Sequence, residues 1–119
     1  MDDEEVRRID SHPNYWVSDL GNVYRERHKE LHILRKDICC GHSRVTLDGE
    51  KCYVGRLVLE TFCPPKDISY KVFHIDGNKL NDALNNLVWL SKSNIHRYSS
   101  YTSEYKQTEA YRREVLGLF

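Results

Sequence analysis

The stretch from residue 72 to residue 97 carries the side chains best suited to chemistry. His74 ends a short apolar segment, and Asn86 follows twelve residues later, ahead of Asn94 and His96. An imidazole with a pKa near neutrality can act as a general base that activates water. Amide and carboxylate oxygens suit Mg²⁺, and a divalent cation stabilises the charge that develops during phosphodiester hydrolysis. A base and such ligands are what metal-assisted hydrolysis of a phosphodiester requires.

Two short strands and a helix are expected to position these groups. Lys71–His74 and Leu87–Leu90 have the apolar character of strands. Ser91 is predicted to cap a helix that ends near residue 97 or 98. Ahead of them, residues 56–62 place apolar side chains on one helical face, and the two prolines that follow end that helix.

The N-terminal half of the chain carries strand signals instead. Asp48-Gly49 separates two runs of strand character, which is the strongest short-range signal for a hairpin. Residues 15–24 predict two strands around a glycine turn, whereas residues 25–37 fit either a charged loop or a strand. Residues 103–116 predict an amphipathic helix. The fold class is therefore α+β, with a small N-terminal antiparallel sheet, a strand–loop–strand–helix unit and a C-terminal helix.

Length and charge limit what the chain can do. Its 119 residues make one domain, in which 18 Lys and Arg balance 18 Asp and Glu. A neutral chain cannot hold nucleic acid through bulk charge, so such contacts need local patches, such as residues 7–36 with seven basic residues and four acids. The apolar runs are too short to span a bilayer and the acidic N-terminus is not a secretory signal, so an intracellular protein is expected. The four cysteines lack zinc-binding pairs and are expected to be reduced thiols.

Residues 13 to about 97 resemble the HNH endonucleases of the phage and intron-encoded homing type. Residues 15–24 are similar to the NUMOD4 module that commonly precedes such domains, and residues 56–64 resemble the helix between the two. The HNH pattern of this group is a histidine, an Asp-Gly-Asn turn, Asn-Leu-x-Trp and the start of a helix. The matching residues are His74, Asp76, Gly77, Asn78, Lys79, Asn81, Asn86, Leu87, Trp89, Ser91 and Asn94.

The resemblance implies a ββα-metal fold, or His-Me finger, in which two strands and a helix hold one divalent cation, Mg²⁺ or Mn²⁺. It implies that His74 is the general base and that Asn86 holds both the loop and the orientation of the imidazole. Asn94 is expected at the metal-ligand position on the helix, with His96 and Asp76 as further candidates. The implied organisation is an acidic tail (1–12), a NUMOD4-like β module (13–55), the HNH unit (56–98) and a helical tail (99–119).

Phe73 departs from the family pattern, because this position usually carries an Asp or Asn that supplies a metal ligand. Two functions therefore stay open. The first is a homing-endonuclease-like nuclease of phage, viral or mobile-element origin that hydrolyses DNA with one divalent cation. The second is a catalytically impaired descendant that serves as a nucleic-acid-binding or structural subunit of a larger nucleoprotein assembly.

Basic residues are candidates for contact with the phosphate backbone of a nucleic acid. DNA is the expected nucleic acid and RNA is the alternative. An ordinary solvated face explains most of these basic residues equally well. The candidates are Arg25, Arg27, Lys29, Arg35, Lys36 and Arg97.

Overall fold

The computed structural model describes residues 4–65 and 69–91. No helix in these ranges is long and apolar enough to cross a membrane. Within these ranges, one α-helix, α1, spans Val54–Phe62, and a 3₁₀ turn spans Leu84–Asn86. The strands in these ranges are β1 (Val6–Ile9), β2 (His12–Ser18), β3 (Val23–Arg27), β4 (Glu30–Ile33), β5 (Asp37–Cys39), β6 (His42–Leu47), β7 (Glu50–Tyr53), β8 (Lys71–His74) and β9 (Leu87–Leu90).

Tight hairpins build the N-terminal half. Strands β1 to β4 form one antiparallel sheet in chain order, and β5 to β7 form a second. The turns of the β3–β4, β5–β6 and β6–β7 hairpins each contain two residues with positive φ, as type I′ turns require. The predicted hairpin at Asp48-Gly49 is confirmed. His28 and Lys29 form the β3–β4 turn, so the segment 25–37 contains a strand pair and not only a charged loop.

The N-terminus differs from the acidic tail expected over residues 1–12. This segment contains β1, which pairs with β2 from Val6 opposite Ser18 to Ile9 opposite His12. Ile9 is only 3 % exposed and belongs to the core. The residues around Ile9 are mostly charged, so the sequence alone indicates a tail. Burial of the Ile9 side chain in the core stabilises a strand here instead.

Helix α1 is the element on which both halves of the chain pack. Val54 and Val58 are fully buried, and Leu57 and Leu59 are nearly so. The helix contacts β1, β2, β6 and β7 as well as β8 and β9, so one core joins the N-terminal sheets to the C-terminal strand pair. The observed α+β class agrees with the expectation. Outside the helix, the core contains Ile9, Tyr15, Val17, Val23, Val45, Leu47 and Leu87.

Strands β8 and β9 pair as predicted and set the direction of His74. His74 lies opposite Leu87, and Phe73 lies opposite Val88. Because successive strand residues point to opposite faces, His74 shares a face with Val72 while the buried Phe73 points to the other. The helices expected after Ser91 and over residues 103–116 lie outside the described residues.

Candidate active site

A buried pair of a histidine and a carboxylate lies at the end of β8. His74 Nε2 is 2.8 Å from Asp82 Oδ1, and the two side chains are 7 % and 3 % exposed. An ionised carboxylate can only accept, so Nε2–H donates, and in the neutral imidazole the lone pair lies on Nδ1. An acidic partner on one ring nitrogen fixes the tautomer and orientation of a histidine, as catalytic and metal-binding histidines require.

Gly55 leaves the space that this pair occupies. It is the second residue of α1 and is buried. A Cβ atom at this position would lie 2.9 Å from Asp82 Oδ1 and 3.5 Å from His74 Nε2. The first distance is too short for real Cβ atoms, so any side chain at position 55 requires the carboxylate to shift.

Asn86 holds the loop between β8 and β9 in place. Its Oδ1 accepts a hydrogen bond from the Asp76 backbone N–H at 3.0 Å. Its Nδ2 donates to Asp76 Oδ1 and to the Asn81 carbonyl, both at 2.9 Å. The Asn86 carbonyl in turn accepts from the Ile75 N–H at 2.8 Å. Asn86 is only 3 % exposed, so these bonds are made away from water and fix the path that brings Asp82 to His74.

Asp76 is the second anchor of this loop. Its Oδ1 accepts from the Asn78 N–H at 2.7 Å, and its Oδ2 accepts from Asn81 Nδ2 at 3.0 Å. Partial burial raises the pKa of this carboxyl, but the hydrogen bonds from Asn81, Asn78 and Asn86 outweigh it and hold the pKa below the usual value. Both carboxylate oxygens are therefore used inside the loop.

The turn between β2 and β3 supports the same loop from the N-terminal sheet. Gly21 has φ +88°, and a Cβ atom there would lie 3.0 Å from the Asp82 carbonyl oxygen. The Leu84 N–H donates to the Asp19 carbonyl at 2.7 Å. Only glycine fits both the positive φ and the close approach, so the turn and the loop depend on each other.

The His74–Asp82 pair lines a cavity of about 450 Å³. His42, the first residue of β6, also lines it, and its ring centroid lies 5.6 Å from that of His74. Burial lowers the pKa of His42, and so do the nearby His74 and Lys79. The neutral imidazole of His42 therefore dominates at pH 7, where it can serve as a ligand or an acceptor.

Positive groups border the same cavity. Arg56 and Lys71 line it, and Arg56 also pairs with Glu60 at 3.3 Å. Helix α1 begins beside it, and its first turn contains no acidic residue. The free N–H groups of a helix N-terminus carry partial positive charge. The cavity therefore suits an anionic group such as a phosphodiester.

Asp82 also bears on whether the site fits a metal ion. Its Oδ2 is buried and has no hydrogen-bond partner among the described residues. A buried carboxylate oxygen without a donor is costly unless a donor or a cation completes its surroundings. A carboxylate oxygen is the type of ligand that Mg²⁺ and Mn²⁺ prefer. The residues present therefore fit a divalent cation, although Phe73 supplies no ligand.

The predicted site residues fall into different places. His74 lines the cavity, whereas Asp76 and Asn86 lie in the loop that supports it. Within the described residues, the hydrogen bond that orients the imidazole comes from Asp82 and not from Asn86, whose side-chain amide is used by the loop. Outside the described residues lie Asn94, His96 and Arg97.

The five basic candidates between residues 25 and 36 belong to the β3–β4 hairpin and the segment after it. All five are exposed. In the described ranges, no acidic side chain forms an ion pair with any of them. They form a basic ribbon, defined by Arg25, Arg27, Lys29, Arg35 and Lys36.

Five residues of the site were not singled out from the sequence, namely Asp82, His42, Gly55, Arg56 and Lys71. Asp82 had one available signal, because it is an acid in the loop that joins the two paired strands. His42 and Gly55 had none, because the tertiary fold brings them to His74 from a different sheet and from the helix.

Comparison with known proteins supports the fold. No protein-family model and no curated protein matches the chain. It is similar to a solved structure that concerns DNA binding and cleavage by the HNH homing endonuclease I-HmuI, with a TM-score of 0.67 and 29 % sequence identity. The chain has an HNH-like fold. The similarity covers 87 % of this chain and 64 % of the neighbour, so the chain spans less than two thirds of that protein.

Proposed function

We propose that the chain is a metal-dependent nuclease that hydrolyses phosphodiester bonds in DNA. The observation that carries the proposal is the buried His74–Asp82 pair at the wall of a cavity with basic neighbours. The HNH-like fold adds support, because the similar structure concerns DNA cleavage.

His74 acts as the general base in this proposal. Asp82 accepts from Nε2–H, so the lone pair on Nδ1 takes a proton from the attacking water. The Asp82 carboxylate then stabilises the imidazolium that forms. Arg56, Lys71 and the first turn of α1 attract the phosphate. A divalent cation, when bound, supplies Lewis-acid stabilisation of charge on the phosphate and the leaving oxygen.

Asp82 Oδ2 is the protein ligand that we propose for this cation in place of the side chain missing at Phe73. It is the oxygen for which the described residues supply no donor. Asn94, with His96 as its alternative, remains a proposed second ligand. Asp76 fits that role less well, because both of its carboxylate oxygens already accept hydrogen bonds in the loop.

Cleavage of supercoiled plasmid with Mg²⁺ or Mn²⁺ tests the proposal. We expect nicking by the wild-type protein, its loss with EDTA, and its loss in His74→Ala. His28→Ala, which changes an exposed histidine in the β3–β4 turn, is the matched control and should remain active. Nicking that survives His74→Ala would exclude the mechanism.

The basic ribbon, which is part of the NUMOD4-like module (13–55), is proposed to track the DNA backbone. We expect Arg25→Ala with Arg27→Ala to weaken DNA binding and to reduce the slope of log K against log salt by about 2, because each lost phosphate contact removes about 1. Fluorescence anisotropy between low and physiological salt measures this slope. Arg44→Ala is the control, because Asp37 already neutralises Arg44 through bonds of 3.0 and 3.1 Å. An unchanged slope in the Arg25→Ala and Arg27→Ala variant would mean that the DNA binds elsewhere on the protein. The same measurement with an RNA duplex of equal length tests whether RNA is the partner.

Gly55→Ala should impair the site more than the fold. Alanine favours a helix over glycine by about 1 kcal/mol, while the crowded methyl group costs about 1–3 kcal/mol. The net loss of about 0–2 kcal/mol should lower the melting temperature by no more than about 10 °C, but displacement of Asp82 should slow cleavage at least about tenfold. Thermal unfolding and the plasmid assay measure the two effects, with Thr61→Ala in the same helix as control. Full activity in Gly55→Ala would contradict the proposed role of the His74–Asp82 contact.

The alternative function is a catalytically impaired nucleic-acid-binding subunit. Phe73 favours it, because this side chain cannot bind a metal. An inactive wild-type protein that still binds DNA with a salt dependence set by the basic ribbon would support this alternative.

A further inference from the structure

A second cluster of potential ligands lies outside the His74 cavity. His12 opens β2 directly after the β1–β2 turn, and Glu50 and Cys52 lie two residues apart on β7, so both point to the same face. Their potential ligand atoms all lie within 4.8 Å of one another. The cluster combines nitrogen, oxygen and sulfur donors from two different sheets, so it is not a patch of surface acids.

Two of the three distances between donor atoms match those around a tetrahedral metal ion, and the third, between His12 and Cys52, is at most 4.8 Å. His12 Nε2 is 3.5 Å from Glu50 Oε1, and Cys52 Sγ is 3.6 Å from the same oxygen. With zinc–nitrogen and zinc–oxygen bonds near 2.0 Å and zinc–sulfur bonds near 2.3 Å, tetrahedral donors lie roughly 3.3–3.6 Å apart.

The surroundings of His12 favour a ligand role. Its side chain is only 15 % exposed, and Ser11 Oγ lies 2.8 Å from its Nδ1. A hydrogen-bond partner on one ring nitrogen leaves the other to face the metal, as in most protein metal sites. The cluster opens into a cavity of about 320 Å³, whose wall also contains Glu60 of α1.

We propose that His12, Glu50 and Cys52 bind one zinc ion, with water in the fourth position. Binding releases the Cys52 proton to the solvent as the thiolate–zinc bond forms. The ion ties the β1–β2 turn to β7, and so stabilises the packing of the two N-terminal sheets next to α1. This ion is separate from the cation of the proposed nuclease reaction.

Cobalt substitution tests the site without reference to cleavage. The full chain is titrated with Co²⁺ in a background in which Cys52 is the only cysteine left (Cys39→Ser, Cys40→Ser and Cys63→Ser). We expect one equivalent to bind, a thiolate-to-cobalt charge-transfer band to develop, and Zn²⁺ to displace the cobalt. A rise in melting temperature with Zn²⁺ should accompany binding.

Single variants locate the ion. Cys52→Ser should abolish the charge-transfer band, and His12→Gln and Glu50→Gln should weaken binding by more than about tenfold, since even partners outside the ligand set matter at that level. The control His32→Gln changes the exposed His32–Glu30 pair, which is 3.9 Å apart, and should bind as the parent does. Glu50 is 68 % exposed, so Glu50→Gln cannot act by unfolding the protein. Absence of the band, binding unchanged in Glu50→Gln, or binding lost in His74→Ala instead would overturn the proposal.

Discussion

Replacing Asp82 with asparagine is expected to slow metal-dependent DNA cleavage by about 10³–10⁴-fold, as removal of the acidic partner does for other catalytic histidines. Asparagine keeps the shape of the side chain but not its charge. The asparagine NH₂ group can donate a hydrogen bond to His74 Nε2, so that Nε2 accepts and no longer carries the proton. The proton of the neutral imidazole then lies on Nδ1, which leaves no lone pair there to accept the proton of the attacking water. It also no longer stabilises the imidazolium or offers a charged oxygen to the cation.

The same substitution should leave the fold nearly as stable as before. Asp82 is 5 % exposed, and its Oδ2 has no partner among the described residues, so the wild-type carboxylate is itself a costly buried charge. We expect the free energy of unfolding of Asp82→Asn to differ by less than about 1 kcal/mol from wild type. Single-turnover cleavage and urea unfolding measure the two quantities. The control Asp48→Asn changes an exposed carboxylate that accepts from Tyr15 and should keep wild-type activity. A large loss of stability in Asp82→Asn would assign the residue to the fold instead of the chemistry.

Local signals in the sequence predict those parts of the fold that depend on local chemistry. Asp48-Gly49 indicates its hairpin because both residue types tolerate positive φ. The β3–β4 turn gives no such signal, because His28 and Lys29 adopt φ of 53° and 65° without a glycine. Such a turn costs free energy at each residue and persists because the pairing of β3 with β4 stabilises it. Tertiary structure therefore decides this element.

The candidate site also contains parts that the sequence predicts and parts that only the tertiary structure determines. The role of His74 is predicted by the resemblance to the HNH pattern, and the positions of β8 and β9 follow from their apolar runs. The partner of His74 is not predictable from spacing alone, because a loop can present any of its polar residues. The fold selects Asp82, since Gly21 admits its backbone and Gly55 leaves room for its carboxylate. Both glycines are distant in sequence, so their effect on the site is visible only in three dimensions.

Asn86→Ala should destabilise the fold more than any other substitution in the loop. It removes one acceptor and one donor that serve three buried or half-buried groups, namely the Asp76 N–H, the Asp76 carboxylate and the Asn81 carbonyl. Each buried polar group left without a partner costs about 1–3 kcal/mol. We expect a loss of about 3 kcal/mol in the free energy of unfolding and a fall of about 10 °C or more in melting temperature.

The control for this effect is Asn78→Ala, which removes one exposed side-chain bond to the Leu80 N–H and should cost less than about 1 kcal/mol. Asn86→Asp is a further test. This variant keeps an oxygen that accepts from the Asp76 N–H, but it loses the Nδ2 donor and places a second carboxylate beside Asp76. It should therefore be nearly as unstable as Asn86→Ala at neutral pH and recover part of its stability in acid. If Asn86→Ala melted like wild type yet failed to cleave DNA, Asn86 would act on the reaction itself. Asp82→Asn should lose cleavage and keep its stability, whereas Asn86→Ala should lose stability. This contrast separates Asp82, which directs the proton, from Asn86, which holds the loop.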